Sequence, residues 1–270
     1  MRCDMGKNVH QWNAADYSRN SSGQAKWALE LADKLKLKGN ESLLDIGCGD
    51  GKISAELARR LPSGRVLGLD SSHDMIDLAC KTFPAGQNPN LSFVLGDAST
   101  LNFDSEFDIL FSNAALHWIP DQQPVLYGVE CALRKGGRLL FQMGGHGNAQ
   151  KILEICNKLI SSSLWAQYFA EFAFPYSFLK PGKYKEMLVA AKLVPLRVEL
   201  IPKDMQQKGR DGLAGWVRTT WMPYTERIPD SLREDFVSAI VDSYLAENPL
   251  DSDGNAHLGM VRLEVEASKP

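Results

Sequence analysis

Seven residues, Asp45-Ile46-Gly47-Cys48-Gly49-Asp50-Gly51, set three glycines at alternate positions between an apolar run and a helical pattern. A turn so bare of side chains lets a ligand approach backbone N–H groups and the positive end of the next helix. Three ligand classes use such turns. The phosphate-cradling pattern GxxxxGK[ST] fails twice, because Ile53 follows Gly51-Lys52 and Ile46 stands five residues before Gly51. The dinucleotide pattern GxGxxG, counted from Gly47, puts Lys52 where its third glycine belongs. What remains is D-x-G-x-G-x-G, with Asp45 and Asp50 beside the turn. Carboxylates there repel a pyrophosphate and attract the cationic end of an amino acid.

Three further polar residues strengthen this otherwise weak signal. Asp70 ends the next apolar run about twenty residues on, where an acid can accept both ribose hydroxyls of a nucleoside. Asp97, in Gly96-Asp97-Ala98, ends the third run and is placed to meet an adenine amino group, and Asn113 ends the fourth. Any one of these also reads as a cap on the following turn. Four polar ends, each on its own strand at one sheet edge, weigh toward a ligand that lies across that edge.

Such placement requires parallel strands. Residues 22–38 carry Trp27, Leu29, Leu31, Leu35 and Leu37 in an amphipathic helical pattern. Strands are expected at 43–47, 65–70, 91–97, 107–113 and 138–143. Helices are expected at 52–61, from Ser72 through Met75, Ile76 and Ala79, and at 125–135 before Gly136-Gly137. Alternating strands and helices imply parallel pairing with right-handed crossovers, hence a doubly wound α/β sheet over about 22–145. Strands near 194–202 and 258–267 complete seven strands as an antiparallel edge hairpin. The segments about 148–192 and 204–249 then read as helical insertions capping the carboxyl edge, rich in aromatics such as Trp165, Tyr176, Trp216, Trp221 and Tyr224. These aromatics serve equally as packing between cap and core.

Composition narrows the partners. Lys and Arg number 30 against 33 Asp and Glu, a net charge of −3, so the basic face that tracks nucleic acid is missing. No stretch approaches the ~20 apolar residues of a membrane span, and the N-terminus lacks a signal core. Five cysteines, none in a CxxC pair, argue against a disulfide framework or structural zinc and fit a reducing cytoplasm. No metal is expected, and nothing in the sequence calls for more than a monomer.

"LLDIGCGDG", "VLGLDSS", "VLGDAST", "FDILFSNAALHWIPD" and "KGGRLLFQM" together resemble the successive motifs of class I S-adenosylmethionine-dependent methyltransferases, across about residues 15–145. The resemblance implies a single Rossmann-like methyltransferase domain over residues 1–270, with S-adenosylmethionine as cofactor. Its methionine end would rest near Asp45, Gly47 and Gly49, its ribose on Asp70, and its adenine near Ser71, Asp97 and Ala98. Met75 could lie on the adenine face, though a methionine at helical spacing is also ordinary core. Tyr17, Gln24, Cys48 and Asn113 complete the implied cofactor site.

Within that class, "YSRNSSGQ" and "NAALHWIPDQQ" resemble enzymes that esterify carboxylic acids: the trans-aconitate, juvenile hormone acid and malonyl-carrier-protein methyltransferases. Matched to the juvenile hormone branch, Gln24 and Trp118 would grip the acceptor carboxylate. An amide N–H and an indole N–H suit a group that only accepts hydrogen bonds. Trp118 reads equally as a lining of the cofactor pocket, and Gln24 as a cofactor contact or surface residue. Arg218 is the candidate for a second carboxylate, whereas Arg138 belongs to a structural turn. His117 is the candidate general base that an amine, thiol or carbon acid would need; a carboxylate needs none. A methyltransferase of another small molecule or of RNA, and a binder of the cofactor without turnover, are the alternatives.

Overall fold

In a computed structural model, residues 22–270 are described, with side chains from Lys26 onward. Five strands pair in parallel beneath covering helices; the first and fourth in chain order are buried on both faces, whereas the third lies at the sheet edge and is largely exposed. They are β1 (Ser42–Ile46), β2 (Arg65–Asp70), β3 (Leu91–Leu95), β4 (Phe107–Asn113) and β5 (Leu133–Gly144). Two long strands, β6 (Val194–Lys208) and β7 (Asn255–Ser268), complete a seven-stranded sheet in the order β3-β2-β1-β4-β5-β7-β6. Strands β1 to β5 pair in parallel, while β7 runs antiparallel between β5 and β6. The expected α/β sheet and edge hairpin are both present.

Helices α1 (Ser22–Asp33) and α2 (Lys52–Arg60) cover one face, where Leu31, Leu35, Leu57 and Ala58 pack on Leu43, Ile109 and Phe111. Helix α3 (His73–Thr82) follows β2, its N-terminal turn capped by the Ser72 hydroxyl. On the other face, α4 (Gln123–Ala132) and α6 (Pro181–Ala190) bury Val125, Leu126, Tyr184 and Leu188 against Leu44, Leu110 and Val265. The cap gathers α5 (Gln150–Ile160), α7 (Gly209–Thr220), the short α8 (Met222–Thr225) and α9 (Asp230–Glu247) around Trp165, Trp216, Trp221 and Phe236. Part of its wall is sheet: Met205, Ala256, Leu258 and Met260 of the β6–β7 hairpin join the same apolar cluster. The hairpin reaches it because the β5–β7 ladder stops at Gly144–Arg262 while β7 continues pairing with β6 as far as Asn255.

Three boundaries differ from expectation, each for a tertiary reason. The first helix ends at Asp33 instead of residue 38. There the Glu41 carboxylate takes the N–H groups of Lys38, Gly39 and Asn40, which holds the chain in a tight turn. The helix expected over 125–135 stops at Ala132, because Leu133 pairs with Phe107 and begins β5. Strand β6 continues past residue 202 to Lys208, so the second run of cap helices begins at Gly209.

Candidate active site

The glycine turn is shaped by its neighbours at two positions and by open space at the third. Gly47 and Gly51 have φ of 75° and 78°, in the left-handed region that L side chains rarely adopt. A Cβ on Gly47 would sit 2.1 Å from the Ala115 Cβ, and one on Gly51 would sit 2.6 Å from the Phe93 ring. Gly49 also has a positive φ, 55°, yet a Cβ there would meet nothing within 4 Å. Backbone on one side and open space on the other form a cradle. The Gly47–Ala115 contact also seats the loop after β4, which carries His117 and Trp118, directly against the turn.

Asp70 faces the same turn. Its Oδ2 accepts the Gly49 N–H and its Oδ1 the Ser72 N–H, both at 2.9 Å. Those two bonds fix the carboxylate plane, and each oxygen retains lone-pair capacity for a hydroxyl. Burial pushes this carboxyl above its ordinary range, opposed by the backbone donors of Ser72, Gly49 and Ser71. Asp45, at the end of β1, is buried and accepts a hydrogen bond of 2.6 Å from the Ser54 hydroxyl. Burial, opposed by that bond and aided by the Asp70 charge, raises Asp45 to about 7. Two acids near one turn, with no lysine or arginine among the described residues hydrogen-bonded to either, make a site that welcomes a cation.

The other expected contacts take varied places. Cys48 donates its N–H to the Leu69 carbonyl at 3.0 Å, and its buried thiol is pushed far above the ordinary range, so it closes the turn. Asp97 accepts the Ser99 N–H (2.8 Å) and hydroxyl (2.6 Å) through Oδ1, capping the turn Ala98–Thr100. Ser71 is exposed just beyond Asp70, Met75 is buried in α3, and Ala98 is half-buried. Asn113 is half-buried at the end of β4, next to a left-handed Ala114 (φ 58°). Tyr17 lies outside the described residues; Gln24 stands in the first turn of α1, where only backbone is described.

His117 and Trp118 form a short helical turn after β4, walled by aromatic rings of the cap. Tyr176 stacks over His117 at 6.0 Å between centroids and meets Trp118 edge-on at 4.7 Å. The His117 Nδ1 accepts the Gly144 N–H at 3.4 Å, which puts the ring proton on Nε2. Burial first, then the positive charge of Arg262, lowers this imidazole to about 3, so it is neutral at physiological pH. Arg218, the sequence-based candidate for an acid, is instead a surface residue paired with Glu234 at 3.3 Å. Arg138 donates to the Leu35 carbonyl, as a structural residue would.

The structure adds residues that spacing did not reveal. Arg262 of β7 is only 3% exposed, and its guanidinium lies 4.8 Å from the centre of the Trp27 ring of α1. In the cap, Trp216, Trp221 and Tyr224 are buried, and their N–H and O–H groups have no hydrogen-bond partner among the described residues. The arginine left one trace in the sequence: Arg262, Glu264 and Glu266 alternate with Leu263 and Val265, a charged face on an otherwise apolar strand.

A glycine cradle at a parallel sheet edge, an oriented acid at the end of the next strand and an aromatic wall beyond it frame the candidate site. Residues 43–137 match the family described as "Methyltransferase domain". A trans-aconitate 2-methyltransferase of Deinococcus radiodurans is 31% identical over 244 residues, covering 88% of this chain and 92% of that protein. The chain belongs to the class I S-adenosylmethionine-dependent methyltransferases. An uncharacterized methyltransferase of Schizosaccharomyces pombe, C70.08c, is likewise 31% identical, over 96% of this chain and 98% of its own. Among solved structures, phosphoethanolamine N-methyltransferase 2 of Haemonchus contortus, in complex with S-adenosylhomocysteine, shares the fold with a TM-score of 0.61. That match has 18% identity and covers 95% of this chain and 57% of the other.

The residues present fit the cofactor of this family. The open space over Gly49 would take backbone-close atoms, Asp45 suits a cationic amino-acid end, and the oriented Asp70 carboxylate suits paired hydroxyls, whereas Asp50 is already paired with the Lys52 ammonium at 2.7 Å. Metal-holding clusters of His, Cys, Asp and Glu are absent among the described residues, and none of their helices is long and apolar enough to cross a membrane.

Proposed function

We propose that this methyltransferase esterifies a carboxylic acid on a small molecule. Bound S-adenosylmethionine supplies a methyl group on a sulfonium that departs as a neutral thioether, so an acceptor needs only an electron pair placed in line. A carboxylate carries that pair at neutral pH without help. The protein's tasks reduce to holding the acid, aligning it and excluding water. The observation that carries the reading is His117: the one imidazole in the loop after β4 is buried, neutral and already bonded through Nδ1, and is a poor proton acceptor. An amine or carbon acid would require a base that this loop does not offer.

In this reading Trp118, beside the cradle, and Gln24, at the start of α1, donate to the acceptor carboxylate. Asp45, Gly47, Gly49, Asp70, Ser71, Met75, Asp97, Ala98 and Asn113 line the cofactor, with Tyr17, Gln24 and Cys48 nearby. His117 holds the loop against β5 through the Gly144 N–H. The chain acts as one domain and as a monomer. The names of the relatives point the same way, since trans-aconitate is itself a carboxylic acid.

Incubation with methyl-labelled S-adenosylmethionine and a panel of organic acids tests the reading. Label should appear in a product that mild alkali hydrolyses, as it does a methyl ester. Label held in an alkali-stable amine, ether or carbon product would overturn it.

A further inference from the structure

The outer tip of the β6–β7 hairpin carries a charged cluster outside the site described above. His257 of β7 is exposed, with Asp204 diagonally across the ladder on β6 and Asp251 in the turn before β7. Its Nδ1 lies 2.7 Å from the Asp204 Oδ2, and its Nε2 lies 2.8 Å from the Asp251 Oδ2. A neutral imidazole carries one N–H, and an ionised carboxylate only accepts. Two such contacts at once require both ring nitrogens to be protonated. The geometry makes His257 an imidazolium that bridges two carboxylates.

Each anchor holds a different segment. Asp251 accepts the N–H groups of Asp253 at 2.9 Å and Asn255 at 2.7 Å through Oδ1, and the Asn255 amide at 3.2 Å through Oδ2. It thereby organises the turn between α9 and β7. The Asn255 N–H first, then His257, hold this carboxyl well below its ordinary range. Asp204 has a lighter tether, the Gln206 amide at 3.2 Å. From α9, the Tyr244 hydroxyl donates to the His257 carbonyl at 2.6 Å; burial and the Asp204 charge raise that phenol, so it stays neutral. The Lys208 ammonium closes the same turn on the Asp253 carbonyl. Asp251 and then Asp204 raise the His257 imidazole above its ordinary value.

Strand alternation carries this cluster to the cap. Ala256 and Leu258, on either side of His257, and Met205, next to Asp204, belong to the apolar cluster of Trp216, Trp221 and Phe236. The ring and its two carboxylates pin the outer face of a hairpin whose inner face walls the cap. Loss of the proton leaves one ring nitrogen bare against a carboxylate, and replaces attraction at the tip by repulsion.

We propose that His257 is a proton-dependent clasp on the cap: protonated, it ties the β6–β7 tip to the turn after α9, and its deprotonation lets that tip open locally. The clasp is independent of which acceptor is methylated. Its folded-state midpoint is raised, so its contribution is fully present below about pH 6.5, the value of the unfolded chain, and is lost as pH rises through that midpoint. An isolated surface ion pair contributes little. Here one cation serves two carboxylates, and one of them is already fixed by backbone N–H groups. The clasp governs how readily the tip opens and touches none of the groups at the glycine turn, so turnover at saturating cofactor and acceptor stays flat with pH.

Two measurements on the full chain test the clasp between about pH 5 and 9.5, a range that spans histidine titration. Nuclear magnetic resonance of isotope-labelled histidine ring nitrogens, with His257 assigned by its loss in His257→Gln, should show a doubly protonated ring at pH 6.5 and a midpoint above that value. Asp204→Asn should lower the midpoint. Hydrogen exchange, corrected for the intrinsic effect of pH and referred to peptides of β1 to remove the global contribution of Asp45, should then quicken about threefold or more over residues 251–260 as pH passes the midpoint. His257→Gln should exchange at the faster rate throughout. A wild-type ring that is neutral at pH 6.5 overturns the proposal. So does exchange over 251–260 that is unchanged across the midpoint, or that keeps its pH dependence in His257→Gln. The wild-type titration and exchange decide the matter even where a variant does not fold.

Discussion

The two halves of the site are built on different physical plans. The half proposed for the cofactor, from Asp45 to Asp97, consists of backbone and short polar side chains at successive strand ends, each placed by a strand of five to seven residues. The half proposed for the acceptor consists of large rings and one buried cation brought together from α1, the loop after β4, the cap and β7. The first half is rigid because a glycine turn packed against Ala115 and Phe93 has no room to move. The second is held by ring contacts and contains buried donors without partners, Trp216, Trp221 and Tyr224. A universal cofactor and a particular acceptor account for that contrast: one half is fixed by backbone spacing, the other is open to change by side-chain substitution.

The contrast is tested most severely at the glycines. Gly47→Ala forces a Cβ onto Ala115 in a left-handed backbone, and should cost about 3 kcal/mol or more of stability and abolish cofactor binding. Gly49→Ala meets only open space, so thermal unfolding should register a loss of about 1 kcal/mol, while cofactor affinity falls much more. Equal effects at the two glycines would mean that the cradle is not where the ligand lies. Asp70→Ala should weaken S-adenosylmethionine binding by about 1.5–3 kcal/mol in calorimetry, through the loss of bonds to a charged acceptor.

Legibility follows the same division. The glycine turn, the strand-end positions of Asp70 and Asp97 and the alternation of strands and helices were readable because local spacing fixes them: a glycine turn after an apolar run places its own N–H groups whatever the rest of the chain does. The end of α1 at Asp33 was not readable, since it depends on Glu41 capturing three N–H groups in the following turn. Leu133 turned from helix to strand because Phe107, far away in sequence, offered a ladder partner. Arg262 was hidden for the same reason. Its meeting with Trp27 joins segments far apart in the sequence, whereas Arg218, the candidate from the helical insertion, pairs with Glu234 at the surface.

Protonation sharpens the comparison further. Asp45 is raised to about 7, so the folded, ligand-free protein keeps a proton that the unfolded chain releases near pH 4. Its contribution to stability is therefore fully present below about pH 4 and is lost as pH rises toward 7. Asp45→Asn should raise the melting temperature of the ligand-free protein at pH 8 and weaken cofactor binding on the order of tenfold. In the wild type, affinity for S-adenosylmethionine should rise between pH 6 and 8 with release of a proton, visible as a dependence of calorimetric heat on the buffer.

The smallest expected effect lies in the cap. Tyr224→Phe removes a buried hydroxyl that has no partner, so the ligand-free protein should gain about 1 kcal/mol, read as a rise of about 2 °C in melting temperature. A loss of stability would show that the hydroxyl is satisfied in solution, and would make the cap as closed a structure as the cofactor half.

The central claim is methyl transfer to a carboxylate with no general base. It is tested most directly by the turnover rate with an acid acceptor between pH 5.5 and 9, at saturating cofactor so that Asp45 no longer governs binding. The account predicts a rate independent of pH across that range, because the acceptor is ionised throughout and His117 stays neutral. A rate that climbs tenfold per pH unit and levels near pH 6.5, and that loses this dependence in His117→Gln, would contradict it.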